Sequence, residues 1–240
     1  MCDESAVNGY DARNAATSEA VMRIDFVSDV ACPWCAIGLS ALERALERIG
    51  ADVGDVEMHM QPFELNPTMP PEGADATEYM TAKYGLAPDQ LAANRARIVE
   101  RGAAEGFAFG ERTHIWNTFD AHRLLFWAGA EGPPGSQLAL EHALLTAYHS
   151  HSRNPGAHEV LLDLAGRVGL GVDRAREVLE RGEFAEAVRQ AERFWQQLGI
   201  QSVPAVIIDR KHLISGGQPS QVFEQALRHI AAERDDAARS

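Results

Sequence analysis

Cys32-Pro33-Trp34-Cys35 holds two of the three cysteines in this 240-residue chain, spaced C-x-x-C. Two sulfurs at that spacing lie within disulfide reach when the backbone between them opens a helix. The first sulfur then meets unsatisfied N–H groups and the positive end of the helix dipole, and both favour a thiolate. Helix N-termini and C-x-x-C motifs lower a thiol pKa to about 3.5–7.5 from about 8.5. Cys35 stands four residues before Leu39 and falls on the buried stripe of its helix, whereas Cys32 precedes the first turn and lies off that stripe. Cys32 is therefore expected to be the accessible nucleophile and Cys35 the shielded thiol that resolves a mixed disulfide. The competing reading is half of a structural zinc site. Such sites take four ligands; the chain has no second C-x-x-C, and no histidine pair adjoins the first in sequence, so no metal is expected.

The segments around the motif must position it. Met22, Ile24 and Phe26 alternate with polar residues and predict a strand over 22–28. Pro33 suits the first helical position. Leu39, Leu42, Leu46 and Ile49 then step by three and four along one helical face, and Gly50 and Gly54 mark its exit. Val56, Met58 and Met60 alternate with Glu57, His59 and Gln61 in a second strand that Pro62 ends. This is a βαβ unit with a right-handed crossover.

From Thr68 to Gly199 the alternation gives way to helical segments, predicted at 76–84, 88–104, 117–130, 136–149, 157–168, 172–181 and 184–198, with Gly/Pro clusters between them. Strand signals return at Ala205–Asp209 and His212–Ser215, which should pair as a hairpin. A last helix begins near Pro219. The reading is an α/β fold made of residues 21–67 and 199–234, interrupted by a large all-helical insertion over 68–198. Residues 1–20, polar and acidic and carrying Cys2, are expected to be a disordered tail, and 235–240 a C-terminal tail.

The bulk composition narrows the function classes. Hydrophobic residues make up 45% and charged residues 24%, ordinary for a globular chain. A net charge of −13 without a basic patch argues against nucleic acid. Three cysteines cannot build a secreted disulfide framework. No apolar run reaches membrane-span length, and residues 1–20 lack the basic and apolar regions of a signal peptide. A cytoplasmic protein is expected.

A proline stands immediately before an apolar strand in Ser202-Val203-Pro204-Ala205-Val206. It either begins the strand or makes a cis turn, and the local sequence leaves both open.

Five motifs in order then carry a family resemblance. They are Ser28-Asp29-Val30-Ala31-Cys32-Pro33-Trp34-Cys35, Phe63-Glu64-Leu65-Asn66-Pro67, Asn117-Thr118-Phe119-Asp120-Ala121-His122-Arg123-Leu124, Gly199-Ile200-Gln201-Ser202-Val203-Pro204 and Ile214-Ser215-Gly216-Gly217-Gln218-Pro219. From Met22 to about Ala232 the chain resembles the FrnE-like branch of the DsbA-type thiol–disulfide oxidoreductases. The resemblance implies a thioredoxin-like fold with a helical insertion, a redox pair at Cys32 and Cys35, and a cis-proline at Pro204 whose neighbour Val203 faces the thiols and pairs with an extended substrate. DsbA carries His inside its motif. This chain has Trp34, which cannot stabilise a thiolate as an imidazolium does, so a weaker oxidant is expected. The extra cysteine pair of some FrnE-like proteins is missing. Kappa-class glutathione transferases and 2-hydroxychromene-2-carboxylate isomerases are similar in their insertion but typically carry Ser where Cys32 stands.

Other residues invite weaker readings. Trp116 and Asn117, with His114, are candidates for lining the substrate groove; packing and capping by Asn117 is the alternative, and it is preferred for His122. Glu64 reads as a structural hydrogen-bonding group more than a proton carrier, and Asp25 as an exposed strand carboxylate more than a buried proton acceptor for Cys35. His142, His149 and His151 read as solvated.

The expected function is thiol–disulfide exchange on protein or small-molecule thiols and disulfides. No tightly bound cofactor is needed, and glutathione or a thioredoxin-type protein would recycle the pair. A glutathione-dependent isomerase or transferase is the enzymatic alternative, and a non-enzymatic redox sensor the other.

Overall fold

A computed structural model describes residues 21–239; the expectations for residues 1–20, Cys2 included, lie outside them. Strand β1 (Met22–Ser28) leads through a four-residue loop into helix α1 (Pro33–Ile49), which returns through a short 3-10 turn to β2 (Val56–Pro62). Near the other end lie β5 (Ala205–Ile208), β6 (His212–Ser215) and α9 (Ser220–Arg239). One sheet of order β2-β1-β5-β6 joins the two ends: β1 is parallel to β2, while β5 is antiparallel to both β1 and β6. This is the expected thioredoxin-like arrangement. Helix α9 continues to Arg239, through residues read above as a tail.

Periodicity explains the packing. Met22, Ile24 and Phe26 share one sheet face and pack with Leu39 and Leu42 of α1 and with Phe223, Leu227 and Ile230 of α9. Full burial of each such side chain stabilises by about 1.5–3 kcal/mol relative to exposure, so the α1 stripe alone is enough to fix that helix against the sheet. The opposite face is covered as well, because Val27, Ala205 and Ile207 pack against Trp195. Asp25 therefore is not an exposed strand carboxylate. It is fully buried, and it accepts hydrogen bonds from Arg23 Nε at 2.8 Å and Gln61 Nε2 at 2.7 Å. Its partners are basic and amide groups, not a thiol.

Between the two ends lie α2 (Ala76–Tyr84), α3 (Pro88–Ala104), α4 (Phe119–Glu131), α5 (Ser136–His149), α6 (His158–Arg167), α7 (Val172–Glu180) and α8 (Ala185–Gln197). The insertion is not purely helical. Strands β3 (Ala74–Asp75) and β4 (His114–Ile115) pair antiparallel, Ala74 opposite Ile115. Two residues are too few to display alternation, so the sequence pattern could not announce them. The helical block has its own core of α4–α7 side chains, and Val30 and Ala31 of the β1–α1 loop belong to that core. Cys32 and Cys35 belong to the sheet core. The loop before the thiols is thus clamped between two hydrophobic clusters.

Candidate active site

Cys32 is the N-cap of α1, with extended backbone (φ −92°, ψ 114°) and Pro33 in the first turn. The N–H of Cys35 donates to the Cys32 carbonyl at 3.0 Å. No disulfide joins Cys32 and Cys35 in this structure. Cys35 is fully buried, as its place on the stripe requires, while Cys32 is only 4% exposed. The expected contrast in accessibility is therefore small. The cause is the loop at the start of β5, which covers Cys32: its thiol donates to the Val203 carbonyl at 3.6 Å.

The Val203–Pro204 peptide bond is cis. This loop approaches α1 closely because two glycines allow it. A Cβ at Gly38 would stand 2.9 Å from Pro204 Cγ, and one at Gly217 would stand 2.9 Å from the Trp34 carbonyl oxygen. Both separations are below van der Waals contact, so these positions require glycine for the motif, the proline loop and the turn after β6 to meet.

The electrostatics separate the thiols. The hydrogen bond from Cys35, helped by the backbone of Cys35 and Trp34, holds the Cys32 thiol below its ordinary pKa against the opposing effects of burial and the Asp29 charge. Burial drives the Cys35 thiol well above its ordinary value, and its contact with Cys32 pushes it further. A helix-end contribution was expected; the larger share comes from the neighbouring thiol.

Asp29, quoted above only as part of a motif, organises the loop. Its carboxylate is fully buried and accepts from Ala31 N at 2.9 Å, Leu65 N at 2.7 Å and Thr118 Oγ1 at 2.9 Å. His122 Nε2 lies 3.4 Å away, also buried. Burial pushes the Asp29 carboxyl up, but His122 and these N–H donors outweigh it and hold the group below the usual carboxylate range. Burial likewise depresses His122, and Asp29 more than restores it, so its pKa is raised. With its acceptor sites taken, Asp29 acts as a fixed negative charge that opposes ionisation of both thiols.

The loop carbonyls are held too. His149 Nε2–H donates to Val30 O at 2.9 Å and Arg112 Nη1 to Ala31 O at 3.2 Å, while Cys32 N donates to Asp29 O at 2.9 Å. His149 is thus not solvated. Burial, helped by the charge of Arg112, pushes its pKa down to about 3, so it is neutral. His122 likewise does more than pack. His142 is ion-paired with Glu43 at 2.7 Å, and among the described residues no cluster of His, Cys, Asp or Glu could hold a metal ion.

The remaining candidates separate. Asn117 donates to Met69 O at 2.7 Å and accepts from Phe119 N at 2.9 Å, so its hydrogen bonds belong to the start of α4. Trp116 stacks on His114 with centroids 5.0 Å apart. Among the described residues neither has a hydrogen bond or ring contact with the thiol motif; Thr118, one residue on, is the group that reaches the loop. Glu64 is buried against Arg189, and burial raises its pKa.

A model of the DsbA-like thioredoxin domain matches residues 23–228. The chain belongs to the DsbA-like thioredoxin domain family. A solved structure from Streptomyces coelicolor, a probable DsbA oxidoreductase SCO1869, is 36% identical with a TM-score of 0.79, covering 87% of this chain and 89% of that one. An uncharacterized protein of Bacillus subtilis (strain 168), YwbO, is 25% identical over 222 residues, 86% of this chain and 96% of that protein. A 2-hydroxychromene-2-carboxylate isomerase shares the fold at 14% identity and a TM-score of 0.64, covering 90% of this chain and 99% of that one. Family membership makes the chain a thiol–disulfide oxidoreductase. Because an isomerase shares the fold, the finer reading has to come from the thiols themselves.

Proposed function

We propose that the chain carries out thiol–disulfide exchange through the Cys32–Cys35 pair, as a member of the FrnE-like branch. The observation that carries this reading is the asymmetry of the two sulfurs: one lowered in pKa at a helix N-terminus, the other raised and buried beside it. The Cys32 thiolate attacks one sulfur of a substrate disulfide. The substrate S–S bond breaks, a Cys32–substrate disulfide forms, and the other substrate sulfur leaves as a thiolate. Cys35 gives up its proton to solvent and attacks Cys32 Sγ. The second substrate thiolate departs, and the substrate has gained the two electrons that the enzyme pair has lost. The reverse sequence oxidises a dithiol.

Val203 supports substrate positioning. Its carbonyl faces Cys32, and an extended substrate strand would replace that contact with backbone hydrogen bonds. Pro33 and Trp34 shape the motif, and no bound cofactor is required. Glutathione or a thioredoxin-type protein would return the pair to its starting state. A cytoplasmic setting accords with the cysteine count; among the described residues no helix is long and apolar enough to cross a membrane.

The test is disulfide reduction and refolding of a scrambled protein by the wild type, Cys32→Ser and Cys35→Ser. Loss of nearly all turnover in Cys32→Ser is the expected result. An isomerase of the serine-bearing kind would keep its activity in that variant, and a sensor would show slow turnover in the wild type with a conformational change on oxidation.

A further inference from the structure

Four arginines gather around the thiol motif of an acidic chain. The chain carries 35 acidic residues against 22 lysines and arginines. Many arginines elsewhere pair with acids, Arg174 with Glu131 and Glu183, and Arg228 with Asp52 and Glu224. Four arginines at the motif do not. The Arg97 guanidinium lies over the Trp34 ring, 5.9 Å from its centroid. Arg101 donates to Gly217 O at 3.4 Å, Arg112 to Ala31 O at 3.2 Å, and Arg95 reaches Gly110 O at 3.5 Å. Arg97 also meets the neutral Asn94 side chain at 3.4 Å. Among the described residues none of the four has a carboxylate in ion-pair range. Two nearby acids are otherwise engaged, Asp29 buried against His122 and Glu105 with Arg44, while Glu100 and Glu111 are exposed in the same stretch of sequence and offset part of the positive charge. His149 is neutral, so it adds no charge of its own.

Beside Pro33 a cavity of about 140 Å³ opens between α2 and α3. Met80, Leu91, Ile98 and Phe109 give it an apolar wall, and Arg95 and Arg112 line it as well. Sites that enclose a whole small ligand measure about 300–1,000 Å³. This one takes a single apolar side chain of a longer ligand. The Val203 carbonyl offers the same ligand an extended backbone partner.

We infer that the substrates are polypeptide segments in which the reacting cysteine is flanked by acidic residues and by one apolar side chain. The apolar side chain seats between α2 and α3, and the carboxylates meet the arginines around Trp34. The inference rests on the thiol–disulfide reading above. Exposed ion pairs are weak and salt-screened, so each is expected to contribute about twofold in rate and the set roughly tenfold.

The test uses the full chain, reduced, and short peptides with one central cysteine disulfide-bonded to a common neutral fluorogenic thiol. A leucine is kept, and the flanks are Glu, Gln or Lys. The Cys32 thiolate attacks the peptide sulfur and the fluorogenic thiolate leaves; Cys35 then displaces the peptide thiol, oxidising the enzyme pair. The Glu peptide is expected to react roughly tenfold faster than the Lys peptide at low ionic strength, with the margin closing at high ionic strength. Arg95→Glu/Arg97→Glu should reverse the order, and Arg95→Gln/Arg97→Gln should shrink it. Because the readout is a ratio within one preparation, loss of folded protein does not imitate either result. Equal rates on all peptides overturn the inference and leave the oxidoreductase reading standing. A preference unchanged in both variants overturns the role of these arginines. A rate on glutathione disulfide equal to that on the Glu peptide overturns the choice of polypeptides. Failure of Cys32 to react with any peptide overturns the underlying reading instead.

Discussion

The Cys32 thiol donates to the carbonyl oxygen of Val203 at 3.6 Å, across a sequence separation of 171 residues. That contact joins the two halves of a discontinuous α/β unit at the site of the chemistry. It also explains why the sulfur is nearly covered in the free protein: the group that shields it is the one that a substrate strand would engage.

The Cys32 thiol is held down chiefly by Cys35. Wild-type Cys32 should alkylate with a midpoint below the ordinary cysteine value, with Cys35 unreactive in the same range. Cys35→Ala should move the Cys32 midpoint upward. Rates of iodoacetamide labelling across pH, read by mass spectrometry, check both. An unchanged midpoint in Cys35→Ala would assign the shift to the helix end instead.

Asp29 opposes ionisation of both thiols. Asp29→Asn should lower the Cys32 midpoint further while leaving His122 without its buried counter-charge. Breaking a buried pair in this way costs about 3–5 kcal/mol. Denaturant unfolding and the alkylation profile together measure the two effects. A midpoint that rises in Asp29→Asn contradicts the charge argument.

Stability should depend on pH through two histidines of opposite sign. The folded pKa of His122 is raised, so its stabilisation is complete below the unfolded value of about 6.5 and is lost as pH rises through the folded value. The folded pKa of Asp29 is depressed, so its contribution is present above about 3.9 and is lost as pH falls through the folded value. The pair therefore stabilises most between about pH 4 and 6.5. His149 is depressed to about 3; its neutral form favours the fold above about pH 6.5, and stability drains as pH falls from there toward the folded value. His122→Gln should flatten the alkaline side of the stability profile and His149→Gln the acidic side. Urea midpoints across pH read both.

Gly38→Ala should cost about 1–3 kcal/mol, the usual range for forcing extra volume into a packed site, because its Cβ would stand 2.9 Å from Pro204 Cγ. Exchange should slow along with the stability loss, since the same displacement moves Val203 away from Cys32. Unfolding midpoints and turnover, measured together, test this. A fully stable and active variant would show that the approach is not required.

Much of this architecture is legible in the sequence because it is local. The alternation of Met22, Ile24 and Phe26 and the stripe through Leu39 and Leu42 report one face each, and those faces are buried as read. The burial of the second face of β1 is not legible, because its polar residues neutralise one another: Asp25 accepts from Arg23 and Gln61, Gln61 accepts from Trp195, and a pattern of residue types does not reveal pairing. The same reason hid Asp29 with His122 and His149 with Val30, contacts made across 89 or more positions. Charge at the motif was invisible too, because Arg95, Arg97, Arg101 and Arg112 are spread over α3 and the segment after it, and only the fold gathers them.

The most direct measurement is a single-turnover reaction of each reduced cysteine variant with a disulfide-bonded peptide, followed by intact mass and peptide mapping. Cys35→Ser should accumulate peptide disulfide-linked at Cys32, while Cys32→Ser should capture none at Cys35. Capture at Cys35 in the Cys32→Ser protein at the wild-type rate, or no adduct in Cys35→Ser, would contradict the assignment of attack to one sulfur and release to the other.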